Sequence, residues 1–461
     1  MGRKTTGPKH HYRTSGEKRT AGLPNQIMKT INKYNFVLGI FSTILIVLLF
    51  LPSYAQENTN NYDSLIVKPK ESFLRARRME HLMFRHGISR FRKVRDNIYV
   101  IPLNEVNNEE IKLAKINELK ESGLFDLVEP DYKFSLDQID SQKHYTAITK
   151  IPKEENLNLP TSKNIGSAEP TEVTPNDKDF ASQYYLREIN ATKAWGITVG
   201  EPLLVGILDT GVNANHPDLE GKVIGGESEN NLDLIDDIGH GTEVAGIIAA
   251  NTNNNQGIAG ISWNTRILSI RITDEVGQAR VSSVVSALDE AYKKGVKIVQ
   301  ISLSTNQFSQ TLKSTIKEAQ NRGLLIISTA GNTGIDELRF PAAFDNVIGV
   351  GAVSKTKERE SYSTIGEHVS LVAPGSLIYT TTSANSAYKE VSGTSFSAPQ
   401  VAGAAALVWS IAPNLTSDQV RNVLIKSADD LGNPGKDLEY GYGILNIERA
   451  VELAKSISIQ E

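Results

Sequence analysis

Four residues have types and settings that could together break an acyl bond. Ser395 stands where the turn "VSGT" becomes "SFSAPQVAGAAALVWS", a run in which Val401, Ala404, Ala405 and Val408 recur at helical spacing. A helix start presents unpaired N–H groups and a partial positive charge, surroundings that favour a developing anion. His240, in "DDIGHGTEVAGIIAA", has glycine on both sides at the opening of a second apolar helix, which leaves its imidazole accessible. Asp209 ends the apolar run "LLVGIL" and opens "DTG". Asn332 follows "LLIIST" in "AGN", where its amide could donate to an oxyanion beside the Ser395 N–H. Each residue also has a plainer use. Thr394 and Ser395 could be helix N-caps, and His240 a structural histidine, with His216 of "NHPDL" as its competitor. Asp209 and Asn332 could be turn residues.

Other chemistries fit the composition less well. The 461 residues include no cysteine, which removes disulfides, thiol catalysis and Cys-based zinc sites, and there is no HExxH for a zinc peptidase. One DTG without a DSG does not supply the carboxylate pair of an aspartic protease. Charged residues make up 22% and the net charge is −4, so no overall basic field calls for nucleic acid.

The elements that must hold these residues follow from periodicity. From about Asp177, the short apolar runs "LLVGIL", "RILSIR", "VKIVQIS", "LLIIST" and "NVIGVGAV" alternate with helical segments. Two of these, "VSSVVSALDEAYKKG" and "TLKSTIKEAQNRG", end at Gly295 and Gly323 as C-caps do. That alternation predicts an α/β fold with a parallel sheet covered on both faces, whose strand ends gather the active groups.

Residues 62–137 read as a separate small α+β unit: strands in "DSLIVKP" and "NIYVIPL", a helix in "EEIKLAKINELKESG" and a closing strand "FDLVEPDYKF". The basic stretch "RARRMEHLMFRHGISRFRKVR" between them predicts a solvated helix face, with an acid-binding surface as the alternative. Residues 138–173 lack periodicity and predict a flexible, cleavable linker. Residues 1–55 predict a signal-peptide region: the apolar run 36–51 is followed by "PSYAQ" in a small-x-small pattern. "MKTINKYN" from Met28 resembles an ordinary n-region, which suggests that translation starts there. A membrane anchor formed by residues 36–51 is the rival.

Taken together and in this order, "ILDTGV", "HPDL", "GHGTEVAGIIAA", "AGN", "FPA", "APG" and "GTSFSAPQVAGAAAL" resemble the subtilisin family of serine proteases, in its thermitase-like branch. The resemblance covers roughly residues 174–452. It implies a subtilisin-like three-layer fold over 174–461 with a mostly parallel sheet, preceded by a ferredoxin-like inhibitory propeptide over 62–137. It implies that Ser395 is the nucleophile, His240 the general base and acid, and Asp209 the carboxylate that orients the imidazole, with Asn332 and the Ser395 N–H as oxyanion hole. It places Ser302, Leu303, Ser304, Thr305, Ala330, Gly331 and Arg339 around the pocket for the residue before the cleaved bond (P1). It also implies a structural Ca²⁺ held by Asp177, Asp218, Asn254 and Gln256 with the Asn251 and Ile258 carbonyls.

The sequence departs from the family in places. Phe396 stands where methionine is usual after the nucleophile, Gln400 replaces a common histidine, and "SLST" is bulkier than the usual pocket wall. Arg339 falls at the base of that pocket, where relatives have small or neutral residues. A guanidinium facing in would pair with an acidic P1; the alternative is that it turns to solvent or pairs with Glu337 or Asp336. The implied function is a secreted endopeptidase made as a zymogen, with protein or peptide substrates and its own propeptide as inhibitor. A membrane-anchored processing protease and a non-catalytic binding protein on the same scaffold are the alternatives; the second requires a broken triad, and these residues are intact.

Overall fold

A computed structural model describes residues 62–74, 76–103, 108–136, 171–227, 229–384 and 387–460. The leader region with its apolar run, Met28, Asp137 and linker residues 138–170 lie outside the described residues. Among the described residues no helix is long and apolar enough to cross a membrane.

The N-terminal unit runs β1 (Ser64–Pro69), α1 (Ala76–Arg85), β2 (Arg92–Arg95), β3 (Ile98–Pro102), α2 (Glu109–Glu121) and β4 (Phe125–Pro130). Its four strands form an antiparallel sheet in the order β2-β3-β1-β4, the ferredoxin-like arrangement. Alternation along β1 divides its work. Leu65 and Val67 pack with Met83, Ile116 and Leu119 under the helices, while Ile66 points the other way into the core of the larger body. Two sequence expectations are corrected here. The basic stretch is helical only over 76–85; "RKVR" is edge strand β2, and Arg95 from it is buried with Nη2 donating to both Glu318 carboxylate oxygens at 2.9 Å. The closing strand is two strands. β4 stops at Pro130, which cannot donate to a ladder, and β5 (Lys133–Phe134) leaves the sheet for the larger body.

The larger body is built on β6 (Leu204–Asp209), β7 (Val223–Gly225), β8 (Arg266–Arg271), β10 (Ile298–Ile301), β11 (Leu325–Thr329), β12 (Ile348–Val353) and β13 (Val369–Pro374); the short β9 (Ala279–Arg280) receives β5. The seven sheet strands are all parallel, in the order β13-β12-β11-β10-β6-β8-β7. Periodicity alone did not expose β7, which is half-buried and short, or β13. The helices are α3 (His240–Ala249), α4 (Val281–Lys293), α5 (Gln310–Asn321), α6 (Thr394–Ile411), α7 (Ser417–Ser427) and α8 (Ile447–Gln460). Strand alternation sorts the layers. Val205, Ile207, Ile298, Leu325 and Ile327 face the core shared with α3, α6, α7 and α8, whereas Leu208, Val299, Ile301 and Ile326 face that of α4 and α5. The three-layer α/β architecture follows from burying both faces of a parallel sheet.

Two carboxylates of the β4 region fasten the N-terminal unit to the starts of two helices. Glu129 accepts from Ser309 Oγ (2.7 Å), Gln310 N (3.0 Å) and Thr311 N (3.0 Å) at α5. The wholly buried Asp131 accepts from Ser282 N (2.8 Å) and Ser282 Oγ (2.7 Å) at α4 and from Ser64 Oγ (3.1 Å). Burial raises the Asp131 pKa, against the pull of the Ser282 hydrogen bonds. The Arg280 guanidinium pairs with Asp63 at the same junction. Acids at helix starts satisfy orphan N–H groups and meet the positive end of the dipole. Glu129→Ala is therefore expected to lower the stability of the uncleaved chain by about 1–2 kcal/mol, the usual cost of losing a cap. Denaturant midpoints of the two proteins measure it, and equal midpoints would show that Ser309 caps α5 unaided.

Candidate active site

Asp209 closes β6, the interior strand at which the strand order reverses, and this is where an open parallel sheet leaves a crevice at its carboxyl edge. His240 is the first residue of α3, after Gly239 at φ 99°. His240 Nδ1 lies 2.8 Å from Asp209 Oδ1; a carboxylate facing it can only accept, so Nδ1 carries the proton and Nε2 is left as the acceptor. A β-carbon at Gly241 would sit 2.0 Å from the Gly211 carbonyl oxygen, so glycine after the histidine is what allows the "DTG" turn to approach. Burial works against the imidazolium, but the Asp209 carboxylate outweighs it, with Glu243 and Asp236 adding to the effect. The pKa of His240 is raised to about 9.

Asp236 was not singled out by sequence reasoning, yet it joins these two segments. Its Oδ1 accepts from Thr210 Oγ1 (2.8 Å) and Gly239 N (2.7 Å), and its Oδ2 from Thr242 N (2.8 Å) and Thr242 Oγ1 (2.6 Å). The signal available was an aspartate shortly before a glycine-flanked helix start, a capping position. His216, the rival histidine, is buried elsewhere, with its Nε2 3.1 Å from the Ala387 carbonyl and its Nδ1 accepting from Asp218 N.

Ser395 is not an N-cap. The cap position is Gly393, at φ 145°, and Thr394 begins α6, so Ser395 lies inside the first turn. Its hydroxyl donates to the Ser302 carbonyl (3.2 Å), and Ser302 Oγ donates to the Ser395 carbonyl (2.9 Å). The second bond has a cause in the sequence. Pro399 lies within α6 and has no N–H for the carbonyl of the residue four back, which is Ser395. Ser302 fills that vacancy and fixes the serine to the end of β10. The ring of the neighbouring Phe396 has its centroid 5.3 Å from that of His240, so the first turn of α6, which carries Ser395, packs against α3. Asn332 follows β11; its Oδ1 accepts from Thr394 N (3.0 Å) and Thr394 Oγ1 (2.7 Å), which turns its NH₂ group away from Thr394.

Segments 302–305 and 330–332 follow the adjacent strands β10 and β11 and lie at the carboxyl edge of the sheet. Ser302, Leu303, Ser304, Thr305 and Ala330 are all buried. The chain's own residues pair with this edge. β5 pairs antiparallel with β9, Ser135 pairs with Ser304, its N–H reaching the Ser304 carbonyl at 3.4 Å, and Phe134 is wholly buried in the core that contains Ala279, Val281 and Leu303. Phe340 exchanges both backbone bonds with Thr305 (2.8 and 3.0 Å) and precedes a cis bond to Pro341. This sets Arg339 beside Ser304. Arg339 is only 7% exposed, so it does not turn to solvent. Its Nε and Nη2 donate to Ser304 Oγ (3.0 and 2.8 Å), and Nη1 reaches Glu337 at 3.3 Å.

Asp177 and Asp218 are brought together by the loop 251–258. Asp177 accepts from Asn253 N and Asn254 N (3.0 and 3.2 Å), and Asp218 from Ile258 N, Asn254 Nδ2 and Tyr388 OH (2.8, 2.8 and 3.2 Å). Both are buried, and burial raises both pKa values; Asp218 also feels the Asp177 charge. A β-carbon on Gly257 would fall 2.0 Å from Tyr388 OH and 2.3 Å from Asp218 Oδ2, so that glycine lets the loop approach this pair. The Asn251 side chain donates to the Glu220 carbonyl, outside this group, and the Gln256 side chain is half-buried beside it. Among the described residues no cluster of three or more His, Cys, Asp or Glu forms, so a cation here would rely on two carboxylates with amide and backbone oxygens. That all-oxygen set fits a hard ion such as Ca²⁺ and suits no softer metal.

Comparison with known proteins agrees with this geometry. Residues 200–443 match the model of the subtilase family, Peptidase_S8. The chain is 39% identical over 272 residues to the thermophilic serine proteinase of Bacillus sp. (strain AK1), covering 58% of this chain and 67% of that protein. It is 36% identical over 282 residues to thermitase of Thermoactinomyces vulgaris (60% and 99%) and 38% identical over 259 residues to subtilisin DY of Bacillus licheniformis (55% and 92%). With a three-layer parallel sheet, a carboxylate–imidazole pair at its switch point and a serine in the first turn of the helix packed on it, the chain belongs to the subtilase family and is a serine endopeptidase.

Proposed function

We propose that this chain is the precursor of an exported subtilisin-like endopeptidase, in which Asp209, His240 and Ser395 form the catalytic triad and residues 62–137 inhibit it until they are cleaved away. The observation that carries the catalytic assignment is the 2.8 Å Asp209–His240 bond, which leaves Nε2 as the acceptor on the helix packed against Ser395. In the reaction, Ser395 Oγ swings from the Ser302 carbonyl to the imidazole. It gives its proton to Nε2 as it attacks the peptide carbonyl carbon. The Ser395 N–H and Asn332 NH₂ hold the oxyanion, and His240 returns the proton to the leaving amine; water then repeats the sequence on the acyl-enzyme. Export is inferred from the apolar run 36–51 and the small residues that follow it. Inhibition is inferred from the pairing of the self-strand 133–136 with this edge of the larger body.

Ser395→Ala should accumulate a folded chain that retains residues 62–137, and Asn332→Ala should reduce kcat by roughly 10²–10³, a magnitude taken from subtilisin itself. Mass spectrometry and peptide hydrolysis read the two. Normal self-maturation of purified Ser395→Ala would defeat the assignment.

The raised His240 pKa has a pH consequence. The base must be neutral, so activity is present above the pKa and lost as pH falls through it. NMR titration of His240 in Ser395→Ala should give a midpoint near 9, well above the ordinary value of 6.5. A midpoint at or below the ordinary value would contradict the pairing with Asp209.

Asp177, Asp218, Asn254 and Gln256 with the Asn251 and Ile258 carbonyls are proposed to hold Ca²⁺, which on binding would offset the repulsion between the two buried carboxylates. An ion bound only by the folded state stabilises it by about 2.7 kcal/mol when present at roughly 100 times its Kd. Melting curves with calcium and with chelator should separate accordingly. Superimposable curves would remove calcium from the assignment.

A further inference from the structure

Resting on the endopeptidase reading above, we propose that Arg339 makes this enzyme selective for an acidic residue at P1, and that its own maturation follows the same rule. The argument is one of placement. The Ser302 carbonyl accepts the Ser395 hydroxyl, and the Ser304 carbonyl receives the N–H of Ser135 on the self-strand. The segment that binds substrate backbone is therefore the segment that adjoins the nucleophile. The Arg339 guanidinium donates twice to the Ser304 side chain. In the segment after β11, a β-carbon on Gly331 would lie 2.9 Å from Arg339 Cγ and 3.1 Å from its Nε. The arginine thus lies between the Ser304 segment and the turn that carries Asn332.

The register of the self-strand points to the residue this cation meets. Antiparallel pairing advances one residue on one strand as it recedes one on the other. A peptide strand paired with Ser304 as Ser135 is would place its residue two positions further on opposite Ser302, the residue that binds Ser395. In the sequence that position is Asp137, which lies outside the described residues. A carboxylate at that position of a bound substrate would meet the Arg339 guanidinium, and the proposed first self-cleavage is between Asp137 and Gln138.

Arg339 already has partners, and the proposal includes them. Ser304 orients the fork. Glu337 touches Nη1 at 3.3 Å, longer than a strong charge-assisted bond, so an incoming carboxylate can share or replace it. The guanidinium also fills depth that an aromatic P1 would need. A buried cation left facing an apolar side chain is penalised, so the discrimination acts in both directions.

The test is hydrolysis, by the purified active enzyme, of peptides of sequence Tyr-Lys-Phe-Ser-Leu-Xaa-Gln-Ile, with Asp, Glu, Asn, Phe or Leu at Xaa. The expected result is an acid-to-Phe ratio of kcat/KM of about tenfold or more, a discrimination that a buried charge readily supplies. Asn should behave like Phe rather than like Asp. Arg339→Gly should collapse the ratio, and Glu337→Gln, which removes the competing carboxylate, should raise it. Mass spectrometry of the matured chain should find the cut after Asp137. A wild-type preference for Phe or Leu, equal use of Asn and Asp, or a ratio unmoved by Glu337→Gln would overturn the inference even if Arg339→Gly does not fold. Absence of cleavage at every P1 residue would defeat the catalytic assignment itself, and this inference with it.

Discussion

The site depends on how closely the end of β6 approaches the start of α3. The hydrogen bond between Asp209 and His240 forms because Gly241 has no side chain where the Gly211 carbonyl must pass. Asp236 then locks the approach by accepting from Thr210 on one side and from the α3 start on the other. A carboxylate buried this way stabilises the imidazolium and selects one tautomer, and both effects come from a single contact. Any side chain inserted at that seam would separate strand from helix and break the Asp209–His240 bond.

A second constraint acts on Ser395. Pro399 removes a helical donor from the first turns of α6, and the freed carbonyl is bound by Ser302. A local defect in one helix thus becomes a tertiary bond to a neighbouring strand. The same segment, two residues further along at Ser304, pairs with the N-terminal unit's trailing strand. Ser395, the segment 302–304 and the self-strand therefore share one edge of the sheet, which explains how the register of a small separate unit is set there. Glu129 and Asp131 anchor that unit at the starts of α5 and α4, just before the chain reaches that edge.

Some elements were legible in the sequence for plain reasons. The apolar strands "LLVGIL" and "LLIIST" and the helices ending at Gly295 and Gly323 follow from hydrophobic period and C-cap glycines, and all four appear within a residue or two of their expected bounds. The short strand β7 and the edge strand "RKVR" were not legible, because neither is buried on both faces and neither breaks the local polar pattern. The turn of the chain after Pro130 was hidden for another reason: "FDLVEPDYKF" has one continuous β-like texture, and only the distant Ser282 tells Asp131 where to go.

By itself, the sequence determined the chemistry available: which residues could be nucleophile, base, orienting acid and oxyanion donor, and that they sit at strand ends and helix starts. These are local properties, set by residue type, glycine placement and period. Only the tertiary structure decided that Ser395 is inside the helix and not its cap, that Asp236 joins the two halves of the acid–base pair, and that Arg339 is buried against Ser304 and Glu337. Each of those outcomes turns on partners many residues away, brought into contact by the sheet order, and no local pattern encodes such distances.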